Sequence, residues 1–326
     1  MITRRRFIVA AGAGALAVPL AGMSRGADKM RRVGFVVPNP VISGRRIAAL
    51  RAGLSALGYV EKKNLLIETR WPEGRERRLR DIPQELIDAE VEVIVIHGGT
   101  AMFQTLHALA AQKLSIPVVM ATCASAPQAE ADGARIVTGL LDAPDPVPKQ
   151  LELLRALVPN LARLAVLSNL AFPGHPMIEH SVNAIIKNSG ITALPFHAQT
   201  PNEIDAAFSE IVKAGAQAIV VAVDPVVEGA GQQIARLALQ HKLPTMFGDG
   251  DHVRAGGLIS YGENLERTYR RAAVYVDKLL KGRKASALPI EQVTKLDLVI
   301  NQKTAGALGI RIPAAILARA DKVWRG

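Results

Sequence analysis

Short apolar runs rich in β-branched residues alternate along this chain with stretches of helical periodicity, and each run stops at Gly, Pro, Asn or Asp. Residues 32–37, 65–69, 91–96 and 117–122 carry the strand pattern. Between them, 44–57, 78–89 and 100–112 carry the helix pattern, with Pro83 unsettling the first turn of the second. Strands separated by helices cannot close as tight hairpins. They pair in parallel and are covered by helices on both faces. The rhythm breaks at Leu141-Asp142-Ala143-Pro144-Asp145-Pro146-Val147-Pro148, where three prolines interrupt any helix, and then restarts. In the second run, 164–167, 192–196, 218–223 and 244–247 read as strands, and 148–157, 176–189, 203–214 and 229–241 as helices. A long helix over 265–280, an extended stretch at 289–294, a strand at 296–301 and a helix from Ala314 close the chain. The expected fold class is α/β: two doubly wound parallel-sheet lobes with a ligand cleft between them.

The first 26 residues read as a signal peptide rather than as part of either lobe. Arg4, Arg5 and Arg6 precede an apolar run from Ile8 to Leu20, about 13 residues, where a bilayer core needs about 20. Thr3-Arg4-Arg5-Arg6-Phe7-Ile8 resembles the twin-arginine export signature, and Ser24 and Gly26 are small residues suited to cleavage. Leu20-Ala21-Gly22-Met23 has the shape of a lipoprotein signal, but methionine stands where the acylated cysteine belongs. The mature chain is therefore expected to be periplasmic and soluble, not lipid-anchored. Gly12-Ala13-Gly14-Ala15-Leu16-Ala17 fits a dinucleotide-binding pattern only on paper, because no strand precedes it.

Removing the leader also resolves the charge. The chain's formal +11 becomes 11 − 4 = +7 once Arg4, Arg5, Arg6 and Arg25 are gone. The remaining basic residues are scattered among acids, without the aromatic interleaving that stacks bases, so no nucleic-acid partner is expected. A single cysteine, Cys123, permits no internal disulfide and no cysteine-based zinc site. It reads as a small packed residue near a strand end.

No catalytic set emerges. There is no G-x-S-x-G elbow, P-loop or H-E-x-x-H. His97-Gly98-Gly99-Thr100 has the look of an esterase oxyanion segment but lacks a nucleophile elbow to serve it. His175 and His180 are five apart, a spacing that does not align metal ligands on one helix face. Binding features are better developed. Strand ends carry Pro38-Asn39-Pro40, Gly98-Gly99-Thr100-Ala101 and Ala121-Thr122-Cys123 in the first half. The second half has Ser168-Asn169, Asp224-Pro225 and Gly248-Asp249. Ligands of open α/β sheets sit beyond the carboxyl ends of the strands. Asn39, Thr100, Ala101, Thr122, Asn169, Asp224, Asp249 and, near the hinge, Tyr261 are therefore the candidate ligand-binding residues. The free N–H groups at the Thr100 helix start suit a carboxylate, and Asp224 or Asp249 suits an ammonium or hydroxyl.

Gly53-Leu54-Ser55-Ala56-Leu57-Gly58-Tyr59-Val60-Glu61, followed by Asn64-Leu65, resembles the G-L-x-x-L-G-Y-x-E-x-x-N signature of a large family of ABC-transporter substrate-binding proteins. Residues 271–282, Leu288-Pro289 and the segment from Leu298 to Gly309 resemble that family's late helix and tail. The resemblance implies a type 1 periplasmic-binding fold: a first lobe of 27–141 plus 263–292, a second of 142–262 plus 293–326, and crossovers near Leu141, Gly262 and Val293. It implies a receptor, not an enzyme, that captures a small organic solute, an amino acid or an aromatic or other organic acid. It also implies an ABC permease in the inner membrane as partner and no cofactor. Members often carry Asp-Pro-Val and then Pro-Gly-Gly after the fourth strand. This chain has Cys123-Ala124-Ser125-Ala126-Pro127 there, so the resemblance does not extend to the ligand choice of the first lobe. The alternatives are a secreted α/β hydrolase-like enzyme acting at the inter-lobe cleft, and a ligand-sensing regulator. The latter would need a DNA-binding helix pair where the leader stands.

Overall fold

The structure is a computed structural model, and it describes residues 29–37, 40–73, 76–98, 105, 107, 116–123, 136–171, 180–183, 187 and 189–325. The leader, the segment 108–115 and most of 176–189 lie outside the described residues.

The described strands form two sheets. The first contains β1 (Arg31–Val36), β2 (Leu65–Arg70), β3 (Val93–His97), β4 (Val118–Thr122) and β5 (Val137–Leu141). With them come α1 (Pro40–Ala56) and α2 (Ile82–Asp88), the latter starting just past the 3-10 turn Glu76–Arg80, so that Pro83 sits harmlessly in its first turn. The chain then passes through α3 (Val147–Leu157) into the second sheet. That half runs β6 (Arg163–Ser168), β7 (Thr192–His197), α4 (Ile204–Lys213), β8 (Ala218–Val221), α5 (Pro225–Gly229), α6 (Gly231–Gln240), β9 (Thr245–Phe247), α7 (Gly250–Arg254) and β10 (Ile259–Glu263). α8 (Leu265–Leu280) packs back on the first sheet, and β11 (Ile290–Gln292) pairs with β5. β12 (Leu296–Asn301), α9 (Gln302–Leu308), α10 (Ala314–Arg319) and β13 (Lys322–Trp324) finish on the second.

The strand orders are β11-β5-β4-β3-β1-β2 and β13-β12-β10-β9-β8-β6-β7. Pairing is parallel with one correction to the sequence expectation: β12 runs antiparallel to β10. That strand returns from the first sheet through a short link, and so enters in the opposite direction.

Period-2 burial builds both lobes. In β3, Val93 and Val95 face the cluster with Phe35, Leu50, Leu54, Tyr269 and Val276, while Ile94 and Ile96 face the one with Leu86, Val118 and Met120. In the second sheet, Leu164, Val220 and Ile259 face Leu151, Leu154 and Ile316, while Ala165, Leu167, Ile219 and Val221 face Phe208, Ile211 and Ile234. The segment from Gly53 to Asn64 serves packing. A Cβ on Gly53 would lie 2.7 Å from the Ala273 Cβ, so the glycine lets α1 approach α8. Leu54 is fully buried. Tyr59 Oη donates to Asp277 Oδ1 at 3.0 Å, and Asn64 ties the loop to Val60 N–H and the Gly58 carbonyl. Among the described residues no helix is long and apolar enough to cross a membrane.

Candidate functional site

In each sheet the strand order reverses once, between β1 and β3 in the first and between β6 and β8 in the second. At such a point the flanking connections leave toward opposite faces and open a crevice beyond the carboxyl edge. The two crevices face each other: Arg45 on α1 pairs with Asp251 on α7, and α1 touches α5.

On the first lobe the register of β3 against β4 shifts between Ile96 and His97, which sets His97 beside Thr122. Thr122 Oγ1 lies 2.6 Å from His97 Nδ1, and the hydroxyl of buried Tyr269 on α8 lies 2.7 Å from the same nitrogen. Burial, and after it the charge of nearby Arg46, pulls His97 down to about 3. The imidazole is thus neutral at physiological pH and serves hydrogen bonding rather than proton transfer. Ser43 and Arg46, one turn apart on α1, are buried at 0% and 3% exposure on the face that continues as Leu50 and Leu54. Cys123 follows β4, and burial raises its thiol to about 12, which leaves it without nucleophilic character.

On the second lobe Asn169 is buried after β6, its Oδ1 accepting from Ala171 N–H at 2.9 Å. Asp224 is buried after β8, its Oδ1 accepting from Val226 N–H at 2.9 Å and Val227 N–H at 3.1 Å, which caps α5. Asp249 caps α7, accepting from Asp251 N–H at 2.5 Å. Leu170 and Val223, each next to one of the buried polar residues, are 52% and 54% exposed and give this edge an apolar surface.

Thr122 ends β4, beside His97 at the end of β3, Asn169 follows β6 and Asp224 follows β8, the two strands flanking the second reversal, and Asp249 lies in the neighbouring βα loop. The Tyr261 ring packs against the core of the second lobe, and its carbonyl accepts from Gln150 Nε2 at 2.7 Å. Asn39, Thr100 and Ala101 lie outside the described residues. Sequence reasoning missed Ser43, Arg46 and Tyr269 and gave His97 no part in the site. The available signal was the polar pair Ser43 and Arg46 on the helical stripe that goes on to Leu50 and Leu54.

Chemically, this edge offers hydroxyls, amides, a neutral imidazole and buried charge. Among the described residues no three His, Cys, Asp or Glu side chains gather as a metal site. Ser168 Oγ lies 3.2 Å from His197 Nδ1, but the two are register partners on β6 and β7 and Ser168 is buried.

Comparison with known proteins agrees with this geometry. The family model described as ABC transporter substrate binding protein matches residues 43–324. A curated tyrosine-binding protein of Clostridioides difficile (strain R20291) is 21% identical over 165 residues, 51% of this chain and 48% of that protein, so the match spans about half of the relative's length. A solved conserved domain protein from Vibrio cholerae O1 biovar El Tor superposes with a TM-score of 0.75 at 25% identity, over 90% of this chain and 100% of that one. A Streptococcus pneumonia ABC domain in complex with L-Trp gives 0.73 at 23% identity, over 90% and 99%, a likeness of fold.

Proposed function

This chain belongs to the ABC transporter substrate-binding protein family, and from that premise we propose that it is the solute receptor of an uptake system rather than an enzyme. The single observation that carries the reading is the pair of switch-point crevices that face each other across α1, α5 and α7. A solute held there touches both lobes, so closing them shields its hydrogen bonds from water and presents one joined surface to a permease in the inner membrane. Sheet membership supports the lobe division 27–141 plus 263–292 and 142–262 plus 293–326, except that Glu263 ends β10 in the second sheet. The proposed ligand contacts are Thr122, Asn169 and Asp224 with Asp249 beside them, together with Asn39, Thr100, Ala101 and, near the hinge, Tyr261.

The ligand is a small organic solute, an amino acid or an aromatic or other organic acid. The bound L-Trp of one structural neighbour and the tyrosine-binding name of one relative support that class. A thermal-shift screen of amino acids and aromatic acids tests it. A true ligand at a hundred times its Kd stabilises the folded state by about 2.7 kcal/mol. A flat response across the panel would refute the proposed ligand class.

The leader supports export to the periplasm by the twin-arginine route. Changing Arg4 and Arg5 to lysine should leave uncleaved precursor in the cytoplasm, read by fractionation and immunoblot. Unchanged export would assign the leader to the general secretory route instead.

A further inference from the structure

The three links between the lobes meet at one place. Residues 142–146 lead from β5 to α3, Asn264 leads from Glu263 at the end of β10 to α8, and 293–295 lead from β11 to β12. They are tied pairwise. Val293 N–H donates to the Leu141 carbonyl at 3.0 Å, and Gln292 Nε2 reaches the Asp142 carbonyl at 3.5 Å. Asn264 Nδ2 donates to Asp297 Oδ2 at 2.7 Å, and Arg267 donates to Asp297 Oδ1 at 2.9 Å and to the Lys295 carbonyl at 2.8 Å. The third tie is Ala143 N–H donating to Glu263 Oε1.

That last tie is unlike the others. Glu263 Oε2 is buried and has no hydrogen-bond partner among the described residues. Asp142, the next acid on the first link, adds a second negative charge nearby. Among the described residues the one cation acting on Glu263 is Arg267, already engaged by Asp297 and the Lys295 carbonyl. Lys295 itself faces Asp297 and Asp321. An ionised carboxylate with one bare oxygen beside another acid is costly, whereas a proton removes both the charge and the repulsion.

We propose that Glu263 and Asp142 form a proton-operated latch, which holds the inter-lobe links gathered when protonated and loosens them when ionised, so that lobe closure takes up protons. This rests on the two-lobe receptor reading and adds pH as an input to it. Consistent with the geometry, burial first and then Asp142 push Glu263 up to about 7, against the opposing Ala143 N–H and Arg267, and burial pushes Asp142 up to about 6.

The sign follows from linkage. In the gathered state Glu263 keeps its proton to about pH 7, while after opening and hydration it returns toward its ordinary 4.5. The gathered state therefore gains on the open one as pH falls from about 7 toward 4.5, by at most about tenfold per unit per carboxyl, and the balance is flat above about 7.5.

The test needs no ligand. Spin labels on Gly44→Cys and Ala255→Cys sit on exposed positions of facing segments, and the buried Cys123 stays unlabelled. Pulsed electron-electron resonance on the free protein should show the ratio of short to long inter-lobe distances rising about tenfold from pH 7.5 to 5.5. Glu263→Gln, which keeps the oxygen that accepts from Ala143, should hold the short distance at both pH values. Should that variant fail to fold, Asp142→Asn should reduce the slope. A distance distribution that ignores pH in the parent, or variants that follow the parent's pH profile, would overturn the latch. The ligand screen above tests receptor function separately, since a silent screen with a pH-driven distance change would leave the latch standing.

Discussion

Replacing Gly139 by alanine should destabilise the protein by about 2–6 kcal/mol, the sum of a strained backbone (about 1–3 kcal/mol) and a forced overlap (about 1–3 kcal/mol). Gly139 lies in the middle of β5 with φ +121°, a region that L side chains rarely adopt. A Cβ there would sit 2.2 Å from the Met120 carbonyl oxygen and 2.7 Å from its nitrogen, and both belong to the neighbouring strand that Gly139 pairs with. Neither atom is a flexible side chain, so the sheet itself must move. Because β5 carries both the β4 pairing and the β11 pairing, the damage should reach the first link between the lobes. Gly44→Ala is the internal control: Gly44 is exposed on α1 with open space around the added carbon, so it should gain about 0.5–1 kcal/mol from helix propensity alone. Urea unfolding of the two variants should displace the midpoint in opposite directions. A Gly139→Ala midpoint within 1 kcal/mol of the parent would mean that β5 is not built as described.

The second large effect is expected at Asp224, where one side chain serves stability and binding together. Asp224→Ala removes the acceptor for two N–H groups at the start of α5 and should cost about 1–2 kcal/mol. It should also weaken solute binding at least tenfold, about 1.4 kcal/mol or more, because α5 is one of the two second-lobe helices that meet α1 across the crevice. Asp224→Asn keeps the capping oxygen and removes the charge, so it should recover most of the stability. Binding that recovers with it would assign Asp224 to positioning α5, and binding that stays weak would assign its charge to the solute. If neither variant changes affinity, Asp224 is only a cap and must be removed from the proposed site.

How much of this was readable beforehand depends on whether the information is local. Runs such as Leu296–Asn301 and the amphipathic Leu265–Leu280 carry their own period, and both stand where periodicity marks them. Val137–Leu141 was missed because a glycine interrupts it and prolines follow closely, which locally spells a linker. Ile259–Glu263 was missed because Ser260 and Gly262 dilute its apolar pattern. The antiparallel entry of β12 is a decision between distant segments, and no local pattern encodes it. The site divides the same way. Aspartates before Val226 and Asp251 are legible as helix caps from residue type and spacing. Ser43 and Arg46 are only half legible: their spacing puts them on the stripe of Leu50 and Leu54, but a polar pair ordinarily marks a wet face, and it is packing that buries these two. The Glu263 contact joins residues 120 apart and could not be read from either segment alone.

The central claim is that the facing crevices capture a solute without changing it. Isothermal titration calorimetry with the strongest stabiliser from the screen, followed by mass spectrometry of the recovered ligand, tests this most directly. The account predicts one site per chain, a negative heat-capacity change from the surface buried on closure, and a ligand returned chemically intact. Recovery of a converted product, or saturable binding that survives Asp224→Ala and Asn169→Ala together, would contradict it.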